Sequence, residues 1–184
     1  GVVIAGLHQE PVERAAAQLD ETRCLGLVAD VTDPGALQRA VARTVERFGG
    51  LDIVVANAGI ASRAATFRAM SGEPFDRVLD VNLNGVHHTV RAALPELLRS
   101  RGHIVLISSI YAFTNGMGAS PYAMAKAGVE QLGRALRVEL AGHDVGTTVA
   151  YFGFIDTQMV REAMDADPVV DELKATLPAV MLKR

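Results

Sequence analysis

Tyr122-Ala-Met-Ala-Lys126 places a phenol and an ammonium four residues apart. Near the start of a helix, that spacing puts both side chains on one face, about one turn apart. An ammonium so placed stabilises phenolate and lowers the tyrosine pKa from its usual ~10. A phenol tuned this way gives or takes a proton near neutral pH, which is general acid/base chemistry. An amphipathic helix with a snorkelling lysine has the same spacing. Ser109 lies thirteen positions earlier, just past the apolar run Ile104-Val-Leu-Ile107. In open α/β sheets ligands sit at the carboxyl ends of strands. A hydroxyl there can donate to a carbonyl oxygen while Tyr122 supplies the proton. For an isolated serine, a strand end or turn is the plainer account.

The segments that must position these groups alternate between strand-like and helix-like, the pattern of a parallel sheet covered by helices. Strands are predicted over residues 1–5, 25–29, 51–56, 103–107 and 147–151. The third lacks polar alternation and is expected to be buried on both faces. Helical spacing covers 11–19, 34–48, 74–100 and 120–140. Thr32 or Asp33 caps the second helix, Pro34 opens it and Gly49-Gly50 ends it. Pro95 is expected to kink or interrupt the third. Repeats, low-complexity tracts and linkers are absent from the sequence, so residues 1–184 read as one α/β domain.

Composition excludes several classes. Hydrophobic residues make up 49% and charged residues 21% of the chain, ample for a core. The net charge of −3, with Arg and Lys spread along the chain, offers no field for nucleic acid. Cys24 is the only cysteine, which excludes an intrachain disulfide and a cysteine-rich metal site. It reads as a small buried hydrophobe. No metal is expected. No apolar run approaches the ~18–20 residues that span a bilayer, and no membrane partner is expected. The opening residues lack a basic leader and cleavage site, so the expected location is a reducing cytoplasm.

Taken together, Asn57-Ala58-Gly59 after a strand, Ser109, Tyr122-x-x-x-Lys126 and Gly153-x-Ile155-x-Thr157 resemble the classical short-chain dehydrogenase/reductase family in order and spacing. The resemblance runs from Gly1 to about Met159. It implies a Rossmann-type doubly wound parallel sheet with helices on both faces. It also implies an oxidoreductase that moves hydride between NAD(P)(H) and a carbonyl or secondary alcohol.

By that resemblance Tyr122 is the general acid/base. Lys126 lowers its pKa and bonds the nicotinamide ribose, and Ser109 polarises the reacting oxygen. Asn82, in Asp80-Val-Asn82-Leu-Asn84-Gly85, matches the helix asparagine that holds a relay water. A surface helix asparagine, like Asn84 nearby, is the plainer account. Asp30-Val31 corresponds to the adenine contact, although Asp30 also suits a capping turn. Asn57, Ala58 and Gly59 correspond to the turn beneath the adenosine ribose, where glycine permits close approach and unusual φ. Gly153, Ile155 and Thr157 correspond to the loop that bonds the nicotinamide carboxamide. Thr157 can equally cap a helix beginning at Gln158-Met159.

Three departures from the family pattern stand out. The glycine-rich phosphate loop is missing, because residues 1–5 match the family's second strand. A unit of ~30 residues is expected before Gly1, and the C-terminal end is expected to be incomplete. Without the family's central first strand, two half-sheets with hydrophobic edges are expected. Gly6 stands where many NAD-using relatives carry an acid, so a 2′-phosphate is tolerated and the choice tilts slightly to NADP. His8 is the nearest group able to pair with one. Phe152-Gly153 replaces Pro-Gly, which frees φ at the start of the nicotinamide loop.

Ile110, Tyr111, Phe113, Met117 and Met159 fall where the family lines its pocket, implying an apolar alcohol or ketone. The stretch after Thr157, through Met164 and Pro168, matches the substrate lid. The helices from Pro74 and Ser120 match those that pair between subunits, implying a homodimer or homotetramer. A non-catalytic module that binds or senses dinucleotide is the alternative, and the four intact residues Asn82, Ser109, Tyr122 and Lys126 weigh against it.

Overall fold

A computed structural model describes residues 1–19, 22–62, 65–114, 118–153, 155–157 and 161. Strands β1 (Val2–Gly6) and β2 (Cys24–Val28) flank helix α1 (Gln9–Ala17). Helix α2 (Pro34–Phe48) leads to β3 (Ile53–Ala56). Helix α3 (Gly72–Leu79), a π turn over Asp80–Asn84 and α4 (Gly85–Ser100) follow in unbroken succession. Strand β4 (His103–Ser109), helix α5 (Ser120–Glu139) and strand β5 (Gly146–Phe152) complete the order. All the pairings are parallel.

The strands form two sheets, β1-β2 and β3-β4-β5. This is the split expected from the sequence, and the hydrophobic edges are open. A cavity of about 690 Å³ lies between them, lined by Val2 and Ala5 of β1, Ile53 and Val55 of β3, Leu37 of α2 and Ala93 of α4. Ile53 and Val55 are 60% and 54% exposed. The expectation that the third strand is buried on both faces is therefore corrected. Ile53 and Val55 share one face of the strand and line the cavity, while Ala56 on the other face is buried.

Helix α2 begins as expected, with Pro34 in the first turn, and of the two candidate caps Asp33 is the one used, accepting from Gly35 N at 2.8 Å. Gly49 ends the helix in the left-handed region, at φ 83°. The helix predicted over 11–19 forms two residues earlier, over Gln9–Ala17. Strand β4 runs two residues beyond its predicted end, so Ser109 is its last residue rather than one past it. The long third helix is not interrupted at Pro95, which α4 passes through. Pro95 and Arg91, four residues back, are both exposed, so water can satisfy the carbonyl that lacks its donor. The discontinuity is the π turn, one helical segment earlier, and it carries Asn82.

The core sits between β4 and the helices α4 and α5. Ala93, Leu97, Ile104, Leu106, Ala125 and Val129 are completely buried. Gly133 lets α5 approach the sheet, since a Cβ there would overlap the Val149 side chain and lie 3.3 Å from Leu106 Cδ1. Helix propensity alone favours alanine over glycine by about 1 kcal/mol. Overpacking a tight contact costs about 1–3 kcal/mol. Packing wins, so Gly133→Ala is expected to destabilise the protein by about 1–2 kcal/mol. A urea midpoint lowered at unchanged m-value verifies this, whereas a raised midpoint shows that α5 shifts freely.

Candidate active site

Strand β4 and the first turns of α5 bring the three expected catalytic groups together. Ser109, the buried last residue of β4, lies beside the Tyr122 phenol and draws its pKa down. Its hydroxyl also donates to the Phe152 carbonyl at 3.3 Å and accepts from Tyr111 N at 3.3 Å. Tyr122 lies in the opening turn of α5, where the helix dipole favours negative charge. Tyr111 packs edge-on against it, with ring centroids 5.8 Å apart and planes at 85°. Lys126 is 4% exposed; its Nζ sits 5.6 Å from the Tyr122 ring centroid and donates to the Ile107 carbonyl at 2.8 Å. Ser108 ties the same two elements together by donating to the Lys126 carbonyl at 3.0 Å.

The expected lowering of the Tyr122 pKa by Lys126 is not what this geometry produces. Burial pushes the phenol above its ordinary value, the neighbouring Ser109 hydroxyl draws it partly back, and Tyr111 adds to the rise. Burial pushes Lys126 down to about 8. The ammonium is aimed at the Ile107 carbonyl, and desolvation outweighs attraction between the two groups.

Asn82 is fully buried, which removes the surface-asparagine account. Its Oδ1 accepts from Ile60 N at 2.7 Å and its Nδ2 donates to Ile60 O at 2.8 Å. The side-chain amide therefore pins the chain immediately after Asn57-Ala58-Gly59. Gly59 faces that amide closely, since a Cβ would sit 3.3 Å from Asn82 Oδ1. Close approach is thus the reason for glycine here. The unusual φ expected at Gly59 is absent, because the positive-φ glycines among the described residues are Gly49 and Gly118.

Asp30 sits past the end of β2, and its Oδ1 accepts from both the Thr32 N–H and hydroxyl at 2.8 Å. These bonds hold the carboxyl below the usual carboxylate range. The turn role is therefore real, and Oδ2 keeps no partner among the described residues. Asn57 and Ala58 are exposed at the carboxyl end of β3. Gly153, Ile155 and Thr157 are exposed beyond β5, with Thr157 N donating to Ile155 O at 2.8 Å. All these groups lie at or beyond carboxyl ends of strands.

Of the expected pocket wall, Tyr111 and Phe113 bound a cavity of about 430 Å³ together with Met124, and Ile110 is 38% exposed outside its lining. Met117, Met159, Met164 and Pro168 lie outside the described residues. The sequence reading missed a support behind the site. Glu130, buried on α5, accepts from the Tyr151 hydroxyl and from Arg134 Nε at 2.5 Å. It follows Lys126 by four residues on the same helical face, and that periodicity was the available signal. Among the described residues no acid/histidine/cysteine cluster suits a metal ion, and no helix is long and apolar enough to cross a membrane.

The short chain dehydrogenase family profile matches residues 1–168. The chain is similar to 2-(R)-hydroxypropyl-CoM dehydrogenase of Xanthobacter autotrophicus, at 35% identity over 159 residues, covering 85% of this chain and 64% of that protein. It is also similar to oxidoreductase UcpA of Escherichia coli, at 35% identity over 167 residues, covering 85% of this chain and 62% of that protein. The chain thus spans somewhat less than two thirds of the length of these relatives. Among solved structures, an alcohol dehydrogenase of the archaeon Thermococcus sibiricus, complexed with 5-hydroxy-NADP, superposes with TM-score 0.80 at 25% identity. That match covers 96% of this chain and 80% of the archaeal one. The parallel sheets and flanking helices are accordingly of the Rossmann type.

Proposed function

The chain belongs to the short-chain dehydrogenase family, and from that premise we propose that it transfers hydride between NAD(P)(H) and a carbonyl or secondary alcohol of an apolar small molecule. The observation that carries this reading is the convergence of Ser109, Tyr122 and buried Lys126 where strand β4 ends and helix α5 begins. Two features fit a dinucleotide. Asp30 keeps one carboxylate oxygen for an adenine amine, and Gly59 keeps its turn bare beneath a ribose. Gly153, Ile155 and Thr157 would hold the nicotinamide carboxamide.

When bound, the dinucleotide supplies or accepts the hydride. The protein's part is orientation and proton management. In reduction, Ser109 donates to the substrate oxygen and Tyr122 delivers its phenolic proton as that oxygen gains charge. In oxidation the phenolate takes the alcohol proton. Lys126 holds the ribose and returns the proton to Tyr122. Asn82 keeps the adjoining turn in place through Ile60. Gly6 carries no carboxylate against a 2′-phosphate, which supports NADP; the 5-hydroxy-NADP complex of the archaeal relative agrees. Val138 on α5 and Leu98 on α4 are 78% and 38% exposed, apolar surface that suits pairing into a homodimer or homotetramer.

The test is a titration of full-length protein with NADH and NADPH separately, followed by reduced-nicotinamide fluorescence. Saturable binding is expected, tighter for NADPH, followed by turnover of hydrophobic ketones. Binding without turnover across such a panel makes the protein a sensing module. Failure of a folded full-length protein to bind either overturns the reading.

A further inference from the structure

We propose that His88 is a positioning residue for the adenine end of the dinucleotide site, acting through the Val31–Thr32 peptide on the Asp30 carboxylate. This rests on the dinucleotide reading above. His88 is on α4, half-buried, and its Nδ1 lies 3.1 Å from the Val31 carbonyl oxygen, 57 residues away in sequence. A carbonyl only accepts, so Nδ1 carries the hydrogen and the tautomer is fixed by its partner.

The Val31 carbonyl and the Thr32 N–H are two ends of one planar peptide group. His88 holds the oxygen end. Asp30 Oδ1 holds the nitrogen end at 2.8 Å and takes the Thr32 hydroxyl as well. Fixing that plane therefore fixes the carboxylate, and with it the direction in which Oδ2 faces. Gly85, one turn before His88, completes the grip. A Cβ there would come within 2.6 Å of Val31 Cγ2 and 3.0 Å of its Cβ, so the bare helix seats the Val31 side chain. The adjoining π turn holds the opposite wall, through Asn82 and Ile60. Both loops of the adenosine site thus hang from one helical segment. His88 is the only group that reaches the β2 loop by a hydrogen bond from that segment among the described residues.

The test compares His88→Phe, which keeps a ring and removes the donor, with His88→Asn, whose Nδ2 occupies the donor position. Full-length parent and variants are titrated with NADPH, with AMP as the adenine fragment, and with reduced nicotinamide mononucleotide. His88→Phe is expected to weaken NADPH and AMP about five- to tenfold, the loss of one hydrogen bond, with the mononucleotide unchanged. His88→Asn is expected to restore most of that loss. Parent-like AMP binding by His88→Phe overturns the proposal while leaving the dinucleotide reading intact. Equal losses for AMP and mononucleotide, or no rescue by Asn, also overturn it, since they mark general loosening or ring volume. A parent that binds no dinucleotide overturns both.

Discussion

Replacing Tyr122 by Phe is expected to lower turnover by about 10³–10⁴ while leaving reduced-dinucleotide affinity within about twofold. The substitution removes one oxygen and keeps the ring. The edge-on contact with Tyr111 and the position of Lys126 over the ring survive, because both depend on the aromatic body. What goes is the phenol beside Ser109 and the proton it would deliver. Positioned proton transfer contributes about 10²–10⁴ in rate, which sets the size of the expected loss. Tyr111 adjoins the ring, but its role towards Tyr122 here is to raise the phenol's pKa. The raised pKa also sets the pH dependence. Reduction needs the phenol, and burial keeps Tyr122 protonated through neutral pH, so the reductive rate stays flat there. Stopped-flow turnover and fluorescence titration of the same preparation separate the two effects. Parent-like turnover in Tyr122→Phe removes that residue from the mechanism. Lost binding together with lost turnover assigns it to folding instead.

The geometry of the candidate site was more legible in the sequence than its electrostatics. Four-residue spacing and a strand end are local features, so Tyr122, Lys126 and Ser109 could be brought together before any tertiary contact was known. The pKa balance could not. It depends on how deeply Lys126 is buried and on its aim at Ile107, and burial depth has no one-dimensional signature. Asn82 shows the same division. Its helix was predicted, but its amide acts on Ile60, 22 residues away, through a π turn that apolar periodicity cannot distinguish from continuous helix. Pro95 misled for a physical reason: proline disrupts most where its missing bond is buried, and this one faces solvent. The third strand misled in the opposite way. Its apolar run was correctly strand, while the burial inferred from it failed because Ile53 and Val55 face the cavity between the two sheets.

Lys126→Met is expected to remove function and, near neutral pH, to leave the protein at least as stable as the parent. Lys126 is 4% exposed, with desolvation the cause of its depressed pKa and a backbone carbonyl as its hydrogen-bond partner. Its folded pKa of about 8 lies below the unfolded 10.5. Between those values the unfolded chain binds more protons than the folded one, so stability of the parent rises with pH across that window. Below about pH 8 the parent carries the full cost of a buried ammonium, on the order of 3 kcal/mol. Methionine has similar length and no charge, so it escapes that cost. It loses the bond to Ile107, leaving a buried acceptor short of a donor at about 1–3 kcal/mol. The two effects are comparable at pH 7, and the pH slope is what distinguishes them. Urea unfolding at pH 7, 8, 9 and 10 is expected to show the parent gaining on the variant throughout the series. Tyr122 titrates in both proteins and cancels in the difference. Parallel stabilities at every pH would mean that Lys126 is solvated in solution. Turnover of the variant is expected to fall about 10²–10³, within the range for losing a participant in proton transfer. It is also expected to bind NADPH more weakly, because the proposed ribose contact would go with the ammonium. A buried lysine that costs folding energy and whose hydrogen-bond partner among the described residues is one carbonyl is what the proposed work on the ligand would account for.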